Sequence, residues 1–310
     1  MNIGGSFSLN GKFETETLSC VLAQISVRSA YSWEDVNYNT DLMIEYMYKA
    51  AAGFPGFDLI VFPEDCFQTF VPGYFNKFGL TLESEQIKKL QAKCKELSVW
   101  GVFSPWLKAK SGDTRYLENT AILINDQGDI VHQYVKNNPW LPAENTLPGT
   151  EVPVTNGPKG SKIATIICAD GDYPEIWREA AVNGANIIIR VADYMAPWDQ
   201  AWELTNRSNA YSNQVYVVAC NQCNVDESYD YFGDSMVVNP DGTILSRAPK
   251  RAPGMIKVNL YPGIIEQMKK QECHGNYTWQ YNHRGAACPE VGIEGVGLDL
   301  STYNAYKSVK

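Results

Sequence analysis

Apolar and polar positions alternate along this chain in blocks short enough to be single elements. Residues 18–25 form a near-continuous apolar run, which predicts a strand buried on both faces. Residues 35–52 carry apolar side chains at helical spacing and stop at Gly53-Phe54-Pro55-Gly56, predicting a helix with a firm end. A short apolar strand follows at 59–62, stopped by Pro63, then a helix at 82–97 and a strand at 100–103. Residues 119–125 and 130–135 flank Asp126-Gln127-Gly128-Asp129 and predict a hairpin. The connection at 137–160 is polar and rich in proline and glycine. Beyond it the pattern predicts a strand at 163–167, a helix opening at Pro174, a strand at 186–191, a helix at 201–213 and a strand at 215–220. A second hairpin is predicted from 236–239 and 243–246 around Pro240-Asp241-Gly242, and a last strand at 255–260; from about Tyr261 the chain reads as irregular and aromatic-rich. No repeat, low-complexity block or linker divides the sequence. Strands covered by helices, with two hairpins among them, predict a mixed sheet in one α/β domain.

Composition narrows the function more than the fold. The 310 residues are 45% hydrophobic and 20% charged, ordinary for one large α/β domain. The formal net charge is -9, which argues against a nucleic-acid or anionic-membrane partner. No apolar run reaches the length of a membrane span. Residues 1–17 are polar and carry no apolar signal core, so a cytoplasmic protein is expected. Eight cysteines, scattered except for Cys220 and Cys223, do not make a disulfide framework. The Cys220-Asn221-Gln222-Cys223 spacing has no second pair and only three histidines in the chain to accompany it, so neither a zinc nor a redox site is expected there.

The chemistry points to residues 162–181, KIATIICADGDYPEIWREAA. A buried strand ends at Cys168, a small polar turn follows, and a helix opens at Pro174. Backbone N–H groups and the positive helix end at such a junction stabilise a thiolate and the oxyanion its attack creates. The same position also suits a small inert core thiol. Three other residues have comparable settings: Glu64 just past a buried strand in Phe62-Pro63-Glu64, Lys136 after a hairpin strand, and Glu144 in the 141–149 loop. Each alone also reads as a solvated surface charge.

In that order, FPE, lysine and strand-end cysteine resemble the Glu-Lys-Cys set of the nitrilase superfamily. GFPGFDLIVFPE at 53–64, VWGVFS at 99–104, GPKG at 157–160 and IICADGDYPEIWREAA at 166–181 are similar to the aliphatic amidase and formamidase branch; so are NPW after Lys136, YFG at 231–233 and HRG at 283–285. The resemblance spans about residues 18–287. It implies a four-layer αββα sandwich with mixed sheets, and hydrolysis of a small aliphatic amide to acid and ammonia through a thioester. It implies neither metal nor organic cofactor. It assigns Cys168 as nucleophile, Glu64 as general base, Lys136 as oxyanion stabiliser and Glu144 as a positioning group. It further implies a homo-oligomer, a hexamer or another even assembly, with 261–310 as a C-terminal extension used in subunit contacts. His283 and the aromatic stretch 277–281 around Trp279 fit such contacts. A nitrilase or N-carbamoyl amidohydrolase of the same fold is the alternative within the superfamily, and a silent scaffold the alternative outside it.

Departures from the branch fall where substrate would sit. Asp65 follows FPE in place of a tyrosine, Val135 and Asn137-Asn138 flank Lys136, Thr146 lies where tryptophan and tyrosine are usual, and Asp193 replaces a glycine before Tyr194. With Trp140 and Ala169, these make Asp65, Thr146, Asp193 and Tyr194 the expected substrate-binding residues. Two extra carboxylates at the pocket suggest a cationic or otherwise polar amide, unless both are solvated loop residues.

Overall fold

A computed structural model describes residues 16–109, 116–225 and 229–270. The first half runs β1 (Leu18–Gln24), α1 (Trp33–Gly53), β2 (Leu59–Val61), α2 (Glu85–Leu97), β3 (Trp100–Phe103), β4 (Trp106–Lys108), β5 (Leu117–Ile124) and β6 (Ile130–Val135). The second half runs β7 (Thr155–Asn156), β8 (Lys162–Ile167), α3 (Pro174–Val182), β9 (Ile187–Ala192), α4 (Asp199–Asn213), β10 (Tyr216–Asn221), β11 (Cys223–Val225), β12 (Asp230–Phe232), β13 (Met236–Val238), β14 (Ile244–Arg247), β15 (Gly254–Leu260) and α5 (Pro262–Lys270).

The strands form two mixed sheets. One is ordered β15-β1-β2-β3-β5-β4 with β6 paired to β5; the other is ordered β14-β13-β10-β9-β8-β7. The two-residue side-chain period of β1 explains the layering. Leu18, Cys20 and Leu22 join the core shared by both sheets, whereas Val21 and Ala23 join the layer under α1 and α2. Residues of α3 and α4, among them Trp177 and Trp202, close the far side of the second sheet. The layers are therefore helix, sheet, sheet, helix. A strand covered on both faces has no reason to alternate in polarity, which is why these runs read as continuous apolar stretches. Between the sheets, His132 of β6 bonds Thr155 through Nδ1 at 2.8 Å and Thr165 through Nε2 at 2.9 Å.

Several boundaries differ from the sequence pattern. The second helix starts at Glu85 rather than 82, because Thr81 and Ser84 form a turn ahead of it: Thr81 N–H donates to Ser84 Oγ at 2.9 Å. The irregular stretch expected from Tyr261 instead opens with α5. Its Ile264 and Ile265 are buried against the chain's own body, and Lys162 Nζ meets Glu266 at 3.2 Å. Apolar pairing at helical spacing was present in PGIIEQM but masked by the aromatic composition downstream. His283 and residues 277–281 lie outside the described residues. No helix among the described residues is long and apolar enough to cross a membrane.

The architecture directs one edge of each sheet to a common place. In the first sheet β1, β2 and β3 run parallel, and β6 shares their direction because it is antiparallel to β5, itself antiparallel to β3. In the second sheet β8, β9 and β10 run parallel. Glu64, Lys136, Cys168 and Asp193 all follow the C-terminal ends of β2, β6, β8 and β9, the usual location for ligand sites in parallel α/β sheets.

Candidate active site

The strand β8 ends abruptly at Cys168, whose backbone has φ 46°. A non-glycine residue in this left-handed region is strained and persists only where its surroundings hold it. The hold is dense. Cys168 carbonyl oxygen accepts from Arg190 Nε at 3.0 Å and Nη2 at 2.7 Å. Asp170 Oδ2 accepts from Ile167 N–H at 3.0 Å and Tyr134 hydroxyl at 2.6 Å, while its Oδ1 accepts from Asn138 N–H at 2.8 Å. The expected polar turn is one tight helical turn, Cys168–Asp172, before α3 begins. Arg190 is fully buried on β9 and passes so close to Gly171 that a Cβ there would lie 2.1 Å from its Cζ. Its guanidinium also stands 4.9 Å from the Tyr194 ring and 4.8 Å from the Trp202 ring.

Beside this elbow the charged residues form a closed network. Lys136 Nζ donates to Glu64 Oε1 at 3.0 Å and to Glu144 Oε2 at 2.6 Å. Asn119 Nδ2 bridges the same two carboxylates, at 2.7 Å to Glu64 Oε1 and 2.9 Å to Glu144 Oε1. Glu64 Oε2 accepts from the backbone N–H of Asp193 at 2.9 Å, and Glu144 Oε2 from that of Trp140 at 2.9 Å. All three ionic residues are buried. Such charges are tolerated only when paired and bonded, and here nearly every lone pair is answered.

Electrostatics follow from this crowding. Burial, then the Glu64 carboxylate, push the Cys168 thiol well above its ordinary range, against the pull of Lys136 and Arg190. Burial alone would lower the Lys136 ammonium, but Glu144 and Glu64 outweigh it and hold it well above its ordinary value. The resting arrangement is thus a neutral thiol beside a charged lysine.

These groups line a cavity of about 270 Å³, together with Asp65, Trp140, Ala169, Asp193 and Tyr194. Thr146 is the one expected binding residue off the lining; it donates from Oγ1 to Glu144 Oε1 at 3.4 Å, behind the charged network. Asp193 carries both functions of its position: its N–H holds Glu64, and its Oδ1 accepts from Gln222 Nε2 at 2.7 Å. Asp65 has φ 55° and is buried. Burial, then Glu64, Asp193 and Glu144, raise its carboxyl well above the carboxylate range.

Four supporting residues escaped the sequence reading: Asn119, Tyr134, Asp170 and Arg190. Two left a signal. Asn119 interrupts the apolar strand LENTAILI and Arg190 interrupts IIIRVA, and a lone polar residue in a buried strand needs a specific partner. Cys220 and Cys223 are core thiols whose Sγ atoms reach carbonyls, Val61 O at 3.4 Å and Ile25 O at 3.5 Å respectively. Among the described residues, no group of three or more His, Cys, Asp and Glu side chains could hold a metal ion.

The chain is similar to known proteins. The family described as carbon-nitrogen hydrolase matches residues 21–270. A formamidase of Bacillus thuringiensis (strain Al Hakam) is 35% identical over 276 residues, covering 88% of this chain and 82% of that protein. A formamidase of Bacillus cereus (strain B4264) is 34% identical over the same length. Among solved structures, Saccharomyces cerevisiae Nit3, a member of branch 10 of the nitrilase superfamily, superposes with a TM-score of 0.73 at 24% identity, over 82% of this chain and 93% of that one. An amidase from Nesterenkonia sp. gives 0.71 at 22%, over 80% and 92%. At those identities the likeness establishes the shared four-layer fold.

Proposed function

Because the chain belongs to the carbon-nitrogen hydrolase family, we propose that its site is that of a thiol amidase, hydrolysing a small aliphatic amide to carboxylic acid and ammonia. The observation that carries this reading is the buried Lys136 held between Glu64 and Glu144 beside the strained elbow of Cys168. The formamidase names of the relatives support the reaction class.

In this mechanism Cys168 Sγ attacks the amide carbonyl carbon while its proton passes to Glu64. A thiol held neutral by burial needs such a base, because only the thiolate is strongly nucleophilic. The carbonyl oxygen becomes an oxyanion. Lys136 has committed two of its three N–H donors to carboxylates, so the third can serve the oxyanion together with the Ala169 N–H. Glu64 then protonates the leaving nitrogen, the C–N bond breaks, and ammonia departs from a thioester. Water attacks the thioester carbonyl, Glu64 takes its proton, and the C–S bond breaks as Glu64 returns that proton to the sulfur, releasing acid and thiol. Glu144 keeps Lys136 charged and fixed through both halves.

Ammonia release from a panel of amides, nitriles and carbamoyl compounds, with Cys168→Ala as control, tests the reading. Release from amides alone, lost in the variant, is expected; nitriles or carbamoyl compounds as the better substrates would overturn it. The same proposal includes a single catalytic domain, a cytoplasmic setting and a homo-oligomer, an even assembly, in which residues beyond α5 make subunit contacts. Light scattering of the full chain against one ending at residue 270 checks the last point: an unchanged number of subunits would sink it.

A further inference from the structure

Asp65 stands apart from the other carboxyls around the cavity, each of which has at least one oxygen that accepts a hydrogen bond. Glu64 and Glu144 accept from Lys136, Asn119 and backbone N–H groups, Asp172 Oδ1 accepts from Tyr194 hydroxyl at 2.9 Å, and Asp193 Oδ1 accepts from Gln222. Asp65 is 1% exposed and lines the cavity, yet its Oδ1 has no hydrogen-bond partner. The indole N–H of Trp106, also on the lining and 1% exposed, has none either. Buried polar atoms are nearly always satisfied; the Asp65 oxygen lacks a donor and the Trp106 N–H an acceptor, and an ammonium can supply the first.

The sign of the charge chooses among ligands. Five carboxyls line the cavity, Glu64, Asp65, Glu144, Asp172 and Asp193, against one lining cation, Lys136; Arg190 stands behind, 3.3 Å from Asp172. That surplus repels anions and concentrates cations. The remaining wall is aromatic: Phe70, Trp106, Trp140, Tyr194, Trp198 and Tyr231. Aromatic faces beside a carboxyl are the usual surroundings of a bound ammonium. Size agrees. At ~30 Å³ per water, the cavity has room for roughly nine waters, far more than formamide needs.

We infer that the amide cleaved here carries a cationic amine on its acyl side, seated between the Asp65 carboxyl and the aromatic wall. The acyl side follows from the amidase reading on which this rests, since the departing fragment is ammonia and has no room for a substituent. In the empty site Asp65 keeps its proton, because burial and the carboxylates around it disfavour ionisation. A bound ammonium replaces that proton, which leaves to solvent, and the pair becomes charge-assisted.

The test compares short ω-amino amides, glycinamide to 4-aminobutanamide, with alkanamides and hydroxyamides of equal heavy-atom count. At least one amino amide is expected to exceed its alkyl partner in kcat/KM by roughly 10- to 100-fold, mainly through KM. Asp65→Asn should collapse that ratio to within a few-fold of unity. In the wild type, KM for the amino amide should fall as pH rises through the Asp65 titration, a trend its alkyl partner lacks. This pH readout decides the matter even if Asp65→Asn fails to fold. Alkanamides or hydroxyamides preferred throughout, or a ratio that survives Asp65→Asn, overturn the inference while leaving the amidase reading standing. No hydrolysis of any amide would overturn both.

Discussion

Asn119 shows how much of this site depends on a residue with no chemistry of its own. One amide nitrogen ties Glu64 to Glu144, and removing it leaves Lys136 as the one side chain bridging the two carboxylates. Asn119→Ala is expected to lower kcat/KM by roughly 10- to 100-fold, the worth of bonds to charged groups, with the protein still folded. Ammonia-release kinetics and a thermal melt check the two halves of that statement. Lys136→Met is the harsher change. It strands two buried carboxylates without a counter-ion, at a cost of about 3–5 kcal/mol, and activity and melting temperature should fall together. Cys168 gives a pH prediction. Its thiol lies well above the ordinary range, so the thiolate fraction should still be growing past pH 9.0. Alkylation of the resting protein by iodoacetamide should therefore keep rising through that pH; a plateau at neutral pH would show the thiol to be ionised there.

At the scale of elements, the elbow between β8 and α3 is decided by a neighbour from another strand. Nothing in Cys168-Ala169-Asp170-Gly171-Asp172 alone says that its glycine makes room for an arginine. The buried guanidinium of β9 fills the space a side chain would need at Gly171 and grips the Cys168 carbonyl. Gly171→Ala should displace Arg190, cost about 1–3 kcal/mol by overpacking, and release the left-handed Cys168 backbone. The check is a melt beside an activity assay: unchanged values in both would show that the elbow does not depend on this packing. Long elements were legible because their patterns sum over many residues. α1 and α4 lie within about two residues of the ranges read from periodicity. β4, β7, β11 and β12, of two or three residues each, were missed, since alternation over so few positions carries no signal. The second sheet's hairpin partner β14 was legible through its Pro240-Asp241-Gly242 turn instead.

Across the whole molecule, the two sheets are pinned by a polar group that behaves as a pH sensor of stability. His132 bridges Thr155 and Thr165 between the sheets, and burial lowers its pKa from 6.5 to about 4. The folded state therefore binds this proton more weakly than the unfolded chain. The contribution of His132 is fully present above pH 6.5 and declines as pH falls from 6.5 towards 4. At 1.36 kcal/mol per unit, the loss is on the order of 3 kcal/mol by pH 4. Urea titrations of wild type and His132→Gln between pH 7 and pH 4 should converge as pH falls. Parallel curves would show that His132 is not the sensor.

By itself, the sequence determined the layered α/β class and the order of the long elements, and it singled out Glu64, Lys136, Glu144 and Cys168 as candidates, because each depends on local pattern or on a motif contiguous in the chain. Tertiary structure alone decided which residues serve them. Asn119, Tyr134, Asp170 and Arg190 come from strands and turns far apart in sequence: Asn119 reaches Glu64 within the first sheet, Arg190 reaches Cys168 within the second, and Tyr134 meets Asp170 only when the two sheets pack together. The same holds for Asp65 and Thr146, indistinguishable in sequence as pocket candidates. One is a buried lining carboxyl with an unpartnered oxygen, the other a hydroxyl turned to Glu144, and the difference is a matter of which way packing lets each side chain face.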